Sequence, residues 1–243
     1  MSEAWRQLGK PRVGGILLVG DHASAHVPDD IDLGIDPALL AEHIAIDIGV
    51  AEVAALLVDS GAVDAAILGG VSRLVVDCNR DEDAPGTIPI SSDGHAIPGN
   101  ALSHDAREAR LARFFRPYHA HIEATIAAHR PAMILSLHSF TPSLASDPAQ
   151  ERPWQVGVLY NQDDRLAAIA IQALRDEGLN VGDQLPYSGK LLNATMNRHA
   201  EANGIAYIGI EMRQDLARDE AGQTLFAERL ARMCRKATLK LVA

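Results

Sequence analysis

The stretch Ala132-Met133-Ile134-Leu135-Ser136-Leu137-His138-Ser139 decides how the rest of this chain is read. Residues 132–137 make a short, almost wholly apolar run, the pattern of a strand buried on both faces. Phe140-Thr141-Pro142 breaks the run, so His138 stands where the strand ends. In open α/β sheets the carboxyl ends of the strands form the rim on which sites are built. Two other stretches repeat the pattern. Gly15-Ile16-Leu17-Leu18-Val19-Gly20 runs straight into Asp21-His22-Ala23-Ser24, and Ile205-Ala206-Tyr207-Ile208-Gly209-Ile210 into Glu211. Three strands thus deliver His22, His138 and Glu211 to one edge of one sheet. Two imidazole ligands and a carboxylate base in that position suit metal-assisted hydrolysis.

Working outward, apolar periodicity predicts helices over residues 37–60, 103–129, 163–177, 192–203 and 224–241. Ser103 is placed to cap one of them, and Gly61, Gly178 and Gly204 stop three others. Residues 64–68, 73–76 and 155–160 read as further strands. Strands alternating with helices argue a largely parallel sheet covered on both faces. No repeat or linker divides the 243 residues, which read as one domain over 1–243. Residues 80–100, rich in Asp, Pro, Gly and Ser, form a long loop of the kind that closes over a site.

Composition removes several classes. A net charge of −10 argues against a nucleic-acid partner, and any arginine serving an anionic substrate must act locally against that field. No apolar run reaches bilayer length, so no membrane partner is expected. Met1-Ser2-Glu3-Ala4-Trp5-Arg6 lacks an apolar signal core, so a cytoplasmic setting is expected. Cys78 and Cys234 are far apart and read as reduced thiols. Ser188-Gly189-Lys190 lacks both the preceding Gly and the following Ser or Thr of a phosphate-binding loop. There is no G-x-S-x-G elbow and no strand-borne G-x-G-x-x-G.

The remaining chemistry sits in four clusters. In Asp21-His22-Ala23-Ser24-Ala25-His26, His22 is the candidate ligand, and Asp21 is placed to orient a ring from behind. His43 and Asp47 share a face of the predicted helix, amid Ile44, Ala45, Ile46 and Ile48. A carboxylate buried there needs a partner, and a metal satisfies it. In Ser72-Arg73-Leu74-Val75-Val76-Asp77-Cys78-Asn79-Arg80, Arg73 either pairs with Asp77 or offers its planar fork to a substrate carboxylate. Arg80 and Asn79 offer the same kind of contact. Glu211, before Met212 and Arg213, is either salt-bridged to Arg213 or Arg73, or a base; spacing leaves both open. His119 and His121 lie on a long helix; one of them can contact the core, and surface placement is the favoured reading.

Taken in order, these motifs resemble the N-formylglutamate amidohydrolase family. To them are added Ser92-Asp93-Gly94-His95-Ala96-Ile97-Pro98-Gly99-Asn100, Pro117-Tyr118-His119, Ser136-Leu137-His138-Ser139-Phe140-Thr141-Pro142, Pro186-Tyr187-Ser188-Gly189 and Glu211-Met212-Arg213-Gln214-Asp215-Leu216. The resemblance spans roughly residues 15 to 216. It implies a zinc-carboxypeptidase-like (phosphorylase/hydrolase-like) fold, a three-layer α/β/α sandwich around a mixed, largely parallel sheet. It implies Zn2+ or another divalent metal on His22, His138 and an acidic ligand, Glu211 as base, and Asn79, Arg80 and Arg73 for a substrate carboxylate. Carboxypeptidases carry their acidic ligand three residues after the first His, where this chain has Ala25. Asp47 is taken in its place, with Asp21 and His26 as rivals. The expected substrate is a small anionic N-acyl amino acid, foremost N-formyl-L-glutamate. The alternatives are another N-acyl amino acid or small peptide, or a non-catalytic binding protein on the same scaffold.

Overall fold

The computed structural model describes residues 3–241. In chain order the elements are β1 (Trp5–Gly9), β2 (Ile16–Gly20), α1 (Val50–Asp59), β3 (Ala65–Gly69), β4 (Ser91–Ser92), β5 (His95–Ala96), α2 (His104–Arg110), α3 (Arg116–His129), β6 (Met133–Phe140), β7 (Val156–Leu159), α4 (Ala167–Asp176), β8 (Val181–Asp183), α5 (Ala194–His199), β9 (Ala206–Arg213) and α6 (Glu220–Leu241). Seven strands form one sheet in the order β1-β3-β2-β6-β9-β7-β8. The centre, β3-β2-β6-β9, is parallel. β1 and β7 join it antiparallel, and β8 pairs parallel with β7. The sheet is therefore mixed, between two helical layers.

Strand periodicity sorts the side chains between those layers. Leu18, Leu135, Leu137, Ile208 and Ile210 face α1, α4 and α6 in one core. Leu17, Val19, Ile134 and Tyr207 pack in a second core with Phe114, Phe115, Tyr118 and Ile122 of the α2–α3 segment and Met196 of α5. Each fully buried leucine contributes about 1.5–3 kcal/mol of apolar burial. His138 continues the row of Ile134, and Glu211 that of Tyr207. Both therefore project on the α3–α5 side, at the carboxyl end of the parallel strands. No helix among the described residues is long and apolar enough to cross a membrane.

Four local expectations are corrected. Residues 37–60 are not one helix: a 3-10 turn covers Pro37–Ala41, and α1 begins only at Val50. The break lies at Gly49, whose φ of 85° no L side chain adopts readily, and whose missing Cβ leaves room for the Ala217 carbonyl. Residues 73–76 are not a strand. Ser72 Oγ donates to Ala45 O and accepts from Leu74 N, which curls the chain into turns. The loop at 80–100 carries short elements of its own, the β4–β5 hairpin and two 3-10 turns. Residues 103–129 are interrupted by a π-helical turn at Leu111–Phe115, just before Pro117, which has no N–H to give back to the preceding turn. The Ser103 cap does form, accepting from Ala106 N.

Candidate metal centre and active site

β2 ends at Gly20, and the chain turns at once through Asp21 and His22. β6 carries His138 within its last turn of pleat, directly opposite Glu211 of β9 in the parallel register. Both strands run on beyond the sequence expectation, so these two residues stand inside strands rather than just after them. Adjacent parallel strands point paired residues to the same side, which sets imidazole and carboxylate next to each other.

The third residue arrives from the broken helix. Freed from α1 by the turn before Gly49, Asp47 is fixed by its own N–H donating to His22 O (2.9 Å). Its Oδ2 then lies 3.3 Å from His22 Nδ1 and 2.9 Å from His138 Nδ1. His22, Asp47 and His138 each offer a ligand atom within 4.8 Å of the others, and all three are buried. Asp47 does stand beside the two histidines, but through a turn; the shared helix face with His43 does not exist. His43 instead bonds Asp93 through Nε2 (3.0 Å). His26 and His104 are exposed.

Each imidazole is backed by a second carboxylate. His22 Nε2 lies 2.7 Å from Asp77 Oδ1. His138 Nε2 lies 3.3 Å from Asp21 Oδ2, within ion-pair range but out of hydrogen-bond alignment. Asp21 Oδ1 is held by donation from Tyr118 OH (2.8 Å) and Thr195 Oγ1 (2.9 Å). A carboxylate behind each histidine fixes the ring and raises its basicity toward a metal. Arg73 ties the front carboxylate to the back one, donating to Asp47 Oδ1 (3.0 Å) and Asp77 Oδ2 (3.3 Å).

The electrostatics are those of a site built for a cation. Burial opposes ionisation of Asp47, but His22, Arg73 and His138 outweigh it and hold the carboxyl well below the usual range. Asp77 is held down in the same way by His22, Arg73 and Arg80. Burial disfavours protonation of His138, yet Asp21, Asp47 and Glu211 together raise it well above the ordinary imidazole value. His22 is also raised, by Asp77 and Asp47 against burial and Arg73. Without a metal, protons on the imidazoles balance the carboxylates; a divalent ion would displace them. A buried His-His-Asp donor set suits Zn2+ or a similar ion, so the residues present fit the metal.

Glu211 differs from the other carboxylates. Burial, with Asp47 nearby, pushes it up to about 7 despite the pull of His138 and Arg73. Its Oε2 is buried and has no hydrogen-bond partner among the described residues. Arg213 pairs with Asp215 instead. Glu211, the two histidines, Asp47, Asn79, Arg80 and Tyr187 line a cavity of about 140 Å³. Asn79 Oδ1 accepts from Thr195 N (3.0 Å), which orients its amide. Among the described residues Arg80 pairs with Asp77 alone, Nε to Oδ2 at 3.6 Å, which leaves its terminal nitrogens available.

Sequence reasoning left Tyr187, Tyr118 and Thr195 without roles, because their contacts cross distant segments. It favoured the surface for His119 and His121 while allowing one of them a core contact; His119 is the buried one. His119 Nδ1 meets His199 Nε2 at 2.8 Å, and its Nε2 meets Cys78 O at 3.0 Å. Burial and the neighbouring His199 lower His119 to about 3, so the pair is a neutral strut under the Asp77-Cys78-Asn79 turn. His121 is half-buried, stacked on Trp5. Cys78 and Cys234 are free and buried.

Residues 14–218 match the family model of the N-formylglutamate amidohydrolases. None of the curated proteins matches the chain significantly. Among solved structures, gene product Atu2144 of Agrobacterium tumefaciens is 31% identical, with a TM-score of 0.90 over 99% of this chain and 96% of that one. An N-formylglutamate amidohydrolase from Ralstonia eutropha JMP134 shares the fold at 19% identity and a TM-score of 0.67, over 99% of this chain and 96% of that one. The match over residues 14–218, and the likeness to a relative along nearly its whole length, show that the chain belongs to the N-formylglutamate amidohydrolase family.

Proposed function

We propose that this protein hydrolyses the formyl amide of N-formyl-L-glutamate to formate and L-glutamate with a divalent metal in the His22–Asp47–His138 site. The observation that carries the reading is Glu211: a buried carboxylate pushed to about 7, its Oε2 without a hydrogen-bond partner among the described residues, in register with His138. A general base works best with a pKa near the operating pH. Glu211 Oε2 takes a proton from the attacking water and returns it to the amide nitrogen as the C–N bond breaks. A metal held by His22, Asp47 and His138 supplies Lewis acidity, polarising the acyl oxygen and acidifying water. Arg80 and the amide of Asn79 hold a substrate carboxylate. Arg73, already committed to Asp47 and Asp77, keeps those carboxylates in place and adds positive potential at the cavity wall. Asp77 and Asp21 hold the two imidazoles.

The absence of a carboxylate at Ala25 had kept a non-catalytic reading open. Asp47 supplies that carboxylate from another segment, which removes the ground for it. Free buried thiols suit a reducing compartment, and we place the enzyme in the cytoplasm. The test is formate release from N-formyl-L-glutamate, before and after chelation and return of zinc. Activity lost on chelation and restored by zinc supports the reading. A metal-loaded protein that releases no formate overturns it.

A further inference from the structure

The catalytic cavity does not end at Arg80. A second cavity of about 310 Å³ opens beside it, sharing His43, Arg73, Arg80 and Tyr187 as its inner wall. Small-ligand pockets commonly occupy roughly 300–1,000 Å³. The inner cavity, at about 140 Å³, falls below that range, and only with the outer chamber does the site reach it.

The outer chamber is built rather than incidental. Its walls come from residues 80–100 and 141–152, and one carboxylate locks them together. Asp93, in the β4–β5 turn at φ 41°, accepts from Ala145 N (2.9 Å) and Ser146 N (2.8 Å) of the opposite loop. It also bonds Ser146 Oγ and His43 Nε2. Burial opposes its ionisation, but those four contacts hold the carboxyl down to about 2, so the clamp persists at neutral pH.

The chamber's chemistry is that of a peptide cleft. Ser91 and Ser92 offer hydroxyls, and Pro89 and Leu144 offer apolar surface. Among the described residues, no lysine and no arginine besides Arg73 and Arg80 lines it. Arg73 is spent on Asp47 and Asp77, so Arg80, at the junction of the two chambers, is the cation left for substrate. A group held by Arg80 therefore has the metal site on one side and, on the other, a roomy chamber whose carboxylates, Asp77 and Asp93, are already engaged by Arg73, His22 and the loop clamp.

We propose that the outer chamber is a second substrate subsite, which takes an amino-acid residue joined through the carboxyl carbon of the N-formyl amino acid. The substrate class then extends to N-formyl dipeptides. Arg80 meets the peptide carbonyl, and the second residue lies among the serines, Pro89 and Leu144. The reaction is unchanged: water adds its oxygen to the formyl carbon, the C–N bond breaks, the nitrogen gains the proton, and formate and the free dipeptide leave. This inference rests on the amidohydrolase reading above.

The experiment compares kcat/KM for formate release from N-formyl-L-glutamate and N-formyl-L-glutamyl-L-alanine by the zinc-loaded protein. The two values are expected to lie within tenfold of each other. Ser92→Trp, which fills the outer chamber, is expected to reduce the dipeptide value at least tenfold more than the N-formyl-L-glutamate value. Ser91→Trp serves as a second plug if Ser92→Trp does not fold. Hydrolysis of N-formyl-L-glutamate with the dipeptide more than tenfold slower overturns the subsite and leaves the amidohydrolase reading standing. An unchanged ratio in a folded plug variant does the same. No formate from either substrate overturns both.

Discussion

Glu211→Gln separates the two things that burial does to this residue. The substitution keeps shape and removes the charge, and it breaks no salt bridge, because Oε2 has no partner among the described residues. Burial lifts the carboxyl from an ordinary 4.5 to about 7. At about 1.36 kcal/mol per pH unit, that difference corresponds to ~3 kcal/mol. A carboxyl raised on folding binds its proton more tightly in the native state. Its stabilising effect is therefore complete below pH 4.5 and is lost as pH rises through about 7. Above that, ionised Glu211 burdens the metal-free protein by ~3 kcal/mol that glutamine does not carry. In denaturant titrations of the metal-free proteins, Glu211→Gln is expected to match the wild type near pH 4.5 and to exceed it by up to ~3 kcal/mol at pH 8. The same variant loses the base, worth about 10²–10⁴ in rate, while still retaining zinc. Formate release, metal content and unfolding together form the assay. A metal-loaded variant turning over within threefold of wild type would refute Glu211 as the base. Equal stability of the two proteins at pH 8 would refute the burial argument.

Further outcomes follow from neighbouring residues. Arg80→Ala removes the available guanidinium at the cavity wall. Losing a charge-assisted hydrogen bond of about 1.5–3 kcal/mol raises KM roughly 10–100-fold, with kcat little changed; steady-state kinetics showing the reverse split would place Arg80 elsewhere. Zinc affinity, measured against a competing chelator, falls as pH drops, because protons on His22 and His138 compete with the ion. Release of both protons gives up to about a hundredfold per pH unit, and a flat profile would contradict the ligand assignment. Gly49→Ala forces a side chain into the left-handed region and against the Ala217 carbonyl. It should cost about 2–4 kcal/mol in denaturant unfolding and loosen zinc binding through Asp47.

Much of this protein is legible in the amino-acid order alone. Short apolar runs ending in His22, His138 and Glu211 encode buried strands whose ends carry polar residues. Period-two alternation then decides which face each residue takes, a local property of the chain. The order of the motifs carried the family as well. The sequence could not say how Asp47 reaches the histidines. A helix over 37–60 satisfies local propensity, but Gly49 packs against the Ala217 carbonyl from the far end of the chain and the helix breaks there. Nor could it pair Asp77 with His22, Asp21 with Thr195, or His119 with His199, since each contact joins segments far apart in sequence. Residues 73–76 have strand-like composition but turn, because Ser72 bonds Ala45 and the apolar side chains divide between two cores. Local chemistry thus chose the residues of the site, while long-range packing chose their geometry. Burial away from water, which only the assembled fold creates, raised the carboxyl of Glu211 to about 7.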